Sequence, residues 1–325
     1  MLRNPWFRVA ATVAVTGLAA AYIVSKIDIG KTARIIRDAS PWWLLLSLGL
    51  TFVTVPIQGW RWQLLLRARG IDETVAWLTR AYFVSYAVGQ VLPTGVGGDA
   101  SRIYETTRRH PGYGSPAAGA VLLERALGGA ITLVLAAIGF VLAIGRYDIG
   151  AYLWIEALFV VLTAIAGVVL FSRRMRRVLR FSVPYLQRAR IERPIRAVYE
   201  GIHGYRDHAR TLFVVGAATV VAQLSRIVAI WASAVAVGIH LSVRPYVVLG
   251  PLLFLVMLVP FTVNGLGVRE AFFVSFLGKL GVGADSAFAT GFLFFLMTLA
   301  LALPGLAVIL WEGMRRRAPA TVPDG

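Results

Sequence analysis

A proline followed by glycine five residues on and by arginine nine residues on occurs twice in this chain and is the arrangement most able to do chemistry. Leu92-Pro93 is followed by Gly98 five residues after the proline and by Arg102 nine after it. Val259-Pro260 is followed by Gly265 and Arg269 at the same offsets. Gly95 and Gly97 crowd the first copy and Gly267 the second, and an acid (Glu105 or Glu270) lies close to each arginine. Glycine lets a backbone approach a ligand closely. A helix restarting after such a break aims free N–H groups and its positive dipole end at an anion. A guanidinium beyond the break suits a phosphate-bearing group, which it can grip with two parallel hydrogen bonds. The plainer alternative is that proline and glycine simply kink packed helices.

Other charges stand inside apolar runs. Arg226 lies near the middle of one. A charge at a bilayer centre costs roughly 2.5–3.5 kcal/mol on insertion scales, so such a residue is functional by default. Ligand contact by Arg226 competes with a buried ion pair to Glu124 or Glu270 that would only tie helices together. Glu124 and Arg125 fall in the first turns of their run and Arg61 in the last turns of its own. Near a run's edge, snorkelling toward the interface accounts for such charges.

Several chemistries find no support. Gly95-Val96-Gly97-Gly98 and Gly265-Leu266-Gly267 resemble phosphate loops, but neither follows a strand or carries the Lys-Ser/Thr of a nucleotide loop. Cysteine is absent, and the four histidines (His110, His203, His208, His240) are scattered, so neither a metal nor another cofactor is expected. No Ser/His/Asp arrangement has a credible spacing, and a catalytic site is not expected. Asp99, read as a loop acid, lacks the base or metal-binding partner that glycosyl transfer would need.

The elements that must position these residues are membrane helices. Of 325 residues, 58% are hydrophobic and only 15% charged, against roughly 25% charged in an average soluble domain. A spanning helix needs about 20 mainly apolar residues. Such runs cover residues 6–25, 42–66, 117–144, 152–171, 211–237 and 286–311. Residues 28–40 alternate apolar and basic positions as an amphipathic helix lying in the interface does, and Trp42 and Trp43 fit an aromatic belt. Two shorter, Gly/Pro-broken regions, near 75–110 and 246–281, read as re-entrant helical hairpins. Irregular backbone at membrane depth is tolerated only where protein or a water-filled cavity satisfies it.

The expected fold is therefore all-α and polytopic: a single membrane domain of about six full spans and two hairpins. Its first half covers 6–172 and its second 211–312. A basic loop at 173–210 and a tail at 313–325 face the cytoplasm. The net charge of +17 is concentrated in that loop and in Arg315, Arg316 and Arg317, which places both termini inside. The same charge attracts anionic lipid headgroups at the loop, and no basic module stands apart to suggest nucleic acid. With this topology the first hairpin opens to the cytoplasm and the second to the outside, making the halves inverted copies. Paired broken segments in two such halves point to a transporter's binding site.

At these residues the chain resembles the flippase-like family named for the transmembrane region of lysylphosphatidylglycerol synthases. The carrying segments are Gln58-Gly59-Trp60-Arg61-Trp62, Leu92-Pro93 through Arg102 with Glu105, Glu124-Arg125, and Pro260 through Asn264-Gly265-Leu266-Gly267-Val268-Arg269-Glu270. The resemblance implies a lipid-translocating domain with re-entrant helices. Some members act on aminoacylated phosphatidylglycerol and others accompany glycosyltransferases that use polyprenyl-linked sugars. The synthases carry a soluble aminoacyl-transferase domain after the membrane part. This chain ends at Gly325, so it is expected not to make the lipid.

These readings predict a non-enzymatic flippase or scramblase for a polar-headed, phosphate-bearing lipid in the plasma membrane, served by a separate enzyme that makes the lipid. Arg102 and Arg269 would grip the headgroup, Arg226, Glu124 and Arg125 would line its path, and Glu105, Glu270 and Asn264 would complete the site. The rival expectation is an accessory or catalytic subunit of a polyprenyl-linked sugar pathway.

Overall fold

The computed structural model describes residues 21–91, 97–143, 204–205, 207–257, 265 and 267–317, with isolated positions at 17, 154, 157, 158 and 161. Every regular element among them is a helix: α1 (Ile29–Arg37), α2 (Pro41–Arg67), α3 (Val75–Val91), α4 (Gly97–Arg109), α5 (Gly114–Ala143), α6 (Ala209–Ala236), α7 (Arg244–Met257), α8 (Val268–Gly278), α9 (Ala284–Ala300) and α10 (Ala302–Arg317). Among the described residues four stretches are long and apolar enough to cross a membrane: Pro41–Arg67, Gly114–Leu142, Ala209–Ala236 and Ala284–Glu312. Most of the predicted spans at 6–25 and 152–171, most of the basic loop at 173–210 and the end of the tail lie outside the described residues.

Proline at its first position starts α2, and Pro56 is absorbed inside it. The main seam of the fold joins α2 to α6. Small polar residues allow the close approach: the Ser47 hydroxyl reaches the Ala229 carbonyl at 2.9 Å and the Ser233 hydroxyl at 2.9 Å. Two cores then form, one drawn mainly from each half, with Val215 and Leu301 of the second half joining the first core and Leu135 of the first half joining the second. Val55, Trp62, Leu66, Leu78, Tyr82 and Val121 pack together in the first. Ile230, Tyr246, Leu249, Phe273, Phe276 and Phe294 do so in the second.

The two broken regions fold as short helix pairs. At 1.5 Å per residue, the 17 residues of α3 and 13 of α4 reach only about 25 and 20 Å, below the roughly 30 Å of a hydrocarbon core. The 14 of α7 and 11 of α8 reach about 21 and 17 Å.

The seating of these pairs is reciprocal. Limb α3 of the first pair lies against α10 of the second half, and limb α7 of the second pair lies against α5 of the first. Each contact runs over a glycine. A Cβ at Gly305 on α10 would collide with the Phe83 carbonyl of α3, and one at Gly139 on α5 would come within 3.0 Å of the Val247 carbonyl of α7. Within the first pair, Gly98 crosses Ser85 so closely that a Cβ would fall 2.6 Å from the serine hydroxyl. Gly97 and Gly98, expected as part of the chain break, instead belong to the first turn of α4. Gly265 and Gly267 do sit at a break, with φ of 74° and 81°, conformations that favour glycine. Pro93, Gly95, Pro260 and Asn264 lie outside the described residues.

Candidate functional site

A cavity of about 240 Å³ lies where the halves meet, walled by residues of α3, α5, α6, α7, α8, α9 and Met257 at the end of α7. Helical spacing supplies its polar groups: Gln223 and Arg226 on one face of α6, and Tyr86 and Gln90 on one face of α3. Gln223 donates to the Thr132 hydroxyl at 2.8 Å, and Tyr86 meets Gln58 at 3.1 Å. Ile227, Leu253, Phe254 and Phe294 form apolar wall. Thus two arginines, Arg226 and Arg269, share one concave, otherwise largely apolar space.

Their situations differ. Arg269 is only 3% exposed. Its Nε and Nη2 both donate to Glu270 Oε1, at 2.9 and 2.8 Å, and its guanidinium lies 4.4 Å from the Phe295 ring centre. The other Glu270 oxygen accepts the Gly267 N–H at 2.7 Å, closing the first turn of α8. Glu270 therefore clips its own helix start and steadies the neighbouring arginine. Arg226 is exposed to the cavity, and no hydrogen bond or ion pair to it occurs among the described residues. The alternative in which it pairs with Glu124 or Glu270 does not hold, since both carboxylates are engaged by other partners.

The first copy of the motif leads elsewhere. Arg102, 4% exposed, donates to Glu124 at 2.9 Å and to Asp99 at 2.5 Å. Its faces are covered by the rings of Trp62 and Tyr82, at 4.9 and 4.2 Å. Arg61 and the Tyr82 hydroxyl also donate to Glu124, and Arg61 reaches the Thr219 hydroxyl of α6 at 2.8 Å. Arg125 pairs with Asp99. Three guanidinium groups thus converge on two carboxylates, and none of these five residues lines the cavity.

Two expectations are corrected here. Arg61 does not snorkel: it is 7% exposed and holds α2 to α5 and α6. Glu124, likewise, is buried rather than drawn to an edge. Asp99 is not a loop acid but occupies the first turn of α4, where a carboxylate complements the helix dipole. Glu105 pairs at 3.0 Å with Arg80, which also meets Glu312 of α10. No group of three His, Asp or Glu able to hold a metal occurs among the described residues.

Sequence reasoning missed Tyr82, Gln223 and Tyr86. The i, i+3 pair Gln223 and Arg226 was the available signal, two polar groups on one face of an otherwise apolar run.

Comparison with curated proteins finds no match. The family profile described as lysylphosphatidylglycerol synthase TM region matches residues 9–305. With only helices, four of them of membrane length and apolar, among its described residues, and matched over nearly its whole length, the chain belongs to the lysylphosphatidylglycerol synthase TM region family.

Proposed function

We propose that this protein moves a phosphate-bearing lipid between the leaflets of the plasma membrane. The observation that carries this reading is the cavity shared by Arg226 and Arg269, with Arg226 facing it and meeting no carboxylate among the described residues. A cation at membrane depth is costly unless something compensates it, and a lipid phosphate is the anion a bilayer supplies. The apolar wall suits acyl chains or the glycerol region, and Gln223, Gln90 and Tyr86 can hydrogen-bond a polar head. Family membership supports a role with membrane lipids. The chain is read as a transporter without catalytic chemistry of its own, receiving its lipid from a separate enzyme.

In this reading the short helix pairs are re-entrant and the halves are inverted copies. The reciprocal seating of α3 on α10 and α7 on α5 supports that symmetry. Alternating access then comes from rocking one half against the other about the α2–α6 seam. The basic tail supports a topology with both termini in the cytoplasm.

The test is leaflet exchange in proteoliposomes with headgroup-labelled phosphatidylglycerol, its lysylated form and a polyprenyl phosphate. Exchange of one lipid, abolished by Arg226→Gln and by Arg269→Gln, supports transport and names the lipid class. No exchange above protein-free vesicles rejects transport and favours an accessory role in a polyprenyl-linked sugar pathway.

A further inference from the structure

A second, larger concavity lies at the end of the bundle where α2 begins and α6 ends. This groove of about 740 Å³ runs beneath α1 and is lined by Lys31 and Arg34 of that helix and by Asp38 at its C-terminal cap. These residues are spaced to share one helix face. The facing wall is Trp43 of α2, the end of α6 (Val235 and Ala236) and the turn after it (Val237 and Gly238), with His240 beyond.

The groove is a built feature. Gly238 takes φ 83° to reverse the chain, and the Ser40 N–H donates to the Ala236 carbonyl at 2.8 Å. Trp43 stands edge-on to Trp231 at 5.3 Å, and the Trp231 indole is tied to the Leu241 carbonyl at 2.9 Å. The start of α1 is pinned by one carboxylate, Asp285 of α9. It accepts the Asp28 N–H at 2.7 Å and the Thr32 hydroxyl at 3.3 Å, and pairs with Lys31 at 3.1 Å.

Depth and charge indicate the occupant. The ten residue steps from Arg226 to Ala236 at the end of α6 rise about 15 Å, matching the roughly 15 Å from bilayer midplane to the headgroup boundary. Trp42, 78% exposed beside the groove, is the residue type that settles at that boundary. Arg34 is exposed and makes only a long 3.4 Å bond to the Gly30 carbonyl of its own helix, with no ion pair among the described residues. Asp38 is engaged by Arg37 at 3.7 Å. Uncommitted cationic charge, an indole wall and interfacial depth match a lipid phosphodiester with its glycerol against Trp43.

We propose that the groove beneath α1 is a headgroup-level binding site for the phosphodiester of a membrane lipid, held chiefly by Arg34 and Lys31. Resting on the transport reading above, it is where the lipid waits on one leaflet before or after the Arg226 cavity.

The test uses the full chain in nanodiscs containing phosphatidylglycerol that carries a photoactivatable headgroup, with crosslinked peptides located by mass spectrometry. Labelling should concentrate on the peptides bearing Trp43 and residues 235–240. Arg34→Gln should lower it roughly tenfold, the loss expected for one charge-assisted hydrogen bond. Lys31→Gln should lower it less, because Lys31 already serves Asp285. Wild-type labelling in the Arg34→Gln, Lys31→Gln double variant overturns the proposal, as does displacement of the lipid by millimolar inorganic phosphate. Arg226→Gln should abolish exchange while leaving groove labelling intact. Groove labelling without exchange in the unsubstituted protein would reject transport and retain the site.

Discussion

Arg102 and Arg269 hold the same place in a repeated motif and end in opposite circumstances. Arg102 closes a network: Glu124, Asp99, Arg61 and Tyr82 enclose it, and α2, α4, α5 and α6 are drawn together through it. Arg269 is clipped by its immediate neighbour Glu270 and left at the wall of a cavity. The difference lies in where the acids stand. In the first copy Asp99 and Glu124 come from one turn back and from another helix. In the second the position matching Asp99 is Leu266, and the one nearby acid is adjacent in sequence. A repeated motif can therefore brace helices in one copy and leave its arginine at a cavity wall in the other, according to whether its cation is neutralised across helices or locally.

Glu124→Gln should break this comparison most severely. It leaves Arg61 and Arg102 buried without their shared counter-charge, and losing one partner of a buried pair costs about 3–5 kcal/mol. Thermal unfolding in detergent should show a large drop. A melt within a degree or two of the unsubstituted protein would mean that the network is not a brace.

Gly305→Ala comes next, because its methyl must displace the Phe83 carbonyl of α3, with overpacking worth about 1–3 kcal/mol. It should lower stability and transport together. Arg226→Gln should abolish lipid exchange while leaving the melting transition unchanged. A stability loss without an exchange defect would move Arg226 to the structural side. Gly139→Ala should have the smallest effect, under about 1 kcal/mol, since its methyl would meet Val247 at 3.0 Å and small relaxation can absorb the contact. If it equals Gly305→Ala, the two seats are equally tight and the asymmetry between the halves is confined to the charges.

Much of this was legible along the chain. The apolar runs at 42–66, 117–144 and 211–237 lie within a few residues of α2, α5 and α6, because hydrophobic length alone fixes a membrane helix. The Pro-Gly-Arg spacing singled out two arginines that are indeed buried. It could not say which one faces a cavity, because that depends on residues far away in sequence. Arg61 looked peripheral since its partner, Glu124, stands 63 positions later. Asp99 read as loop because four residues of glycine and valine precede it, yet the helix starts at Gly97 and crosses Ser85 only because Gly98 has no side chain. Gly139 and Gly305 carry no local signature at all. Their meaning comes from the backbone of another half.

That exchange of seats has a consequence for biosynthesis. The limb α3, carrying Arg80, leaves the ribosome long before α10, which holds Glu312 and the glycine against which α3 rests. At about 5–20 residues per second, the interval is roughly 10–50 s. During it a short, charged segment must be kept in or beside the bilayer without its final neighbour. The insertion machinery, rather than the finished protein, must shelter it until the last helix arrives.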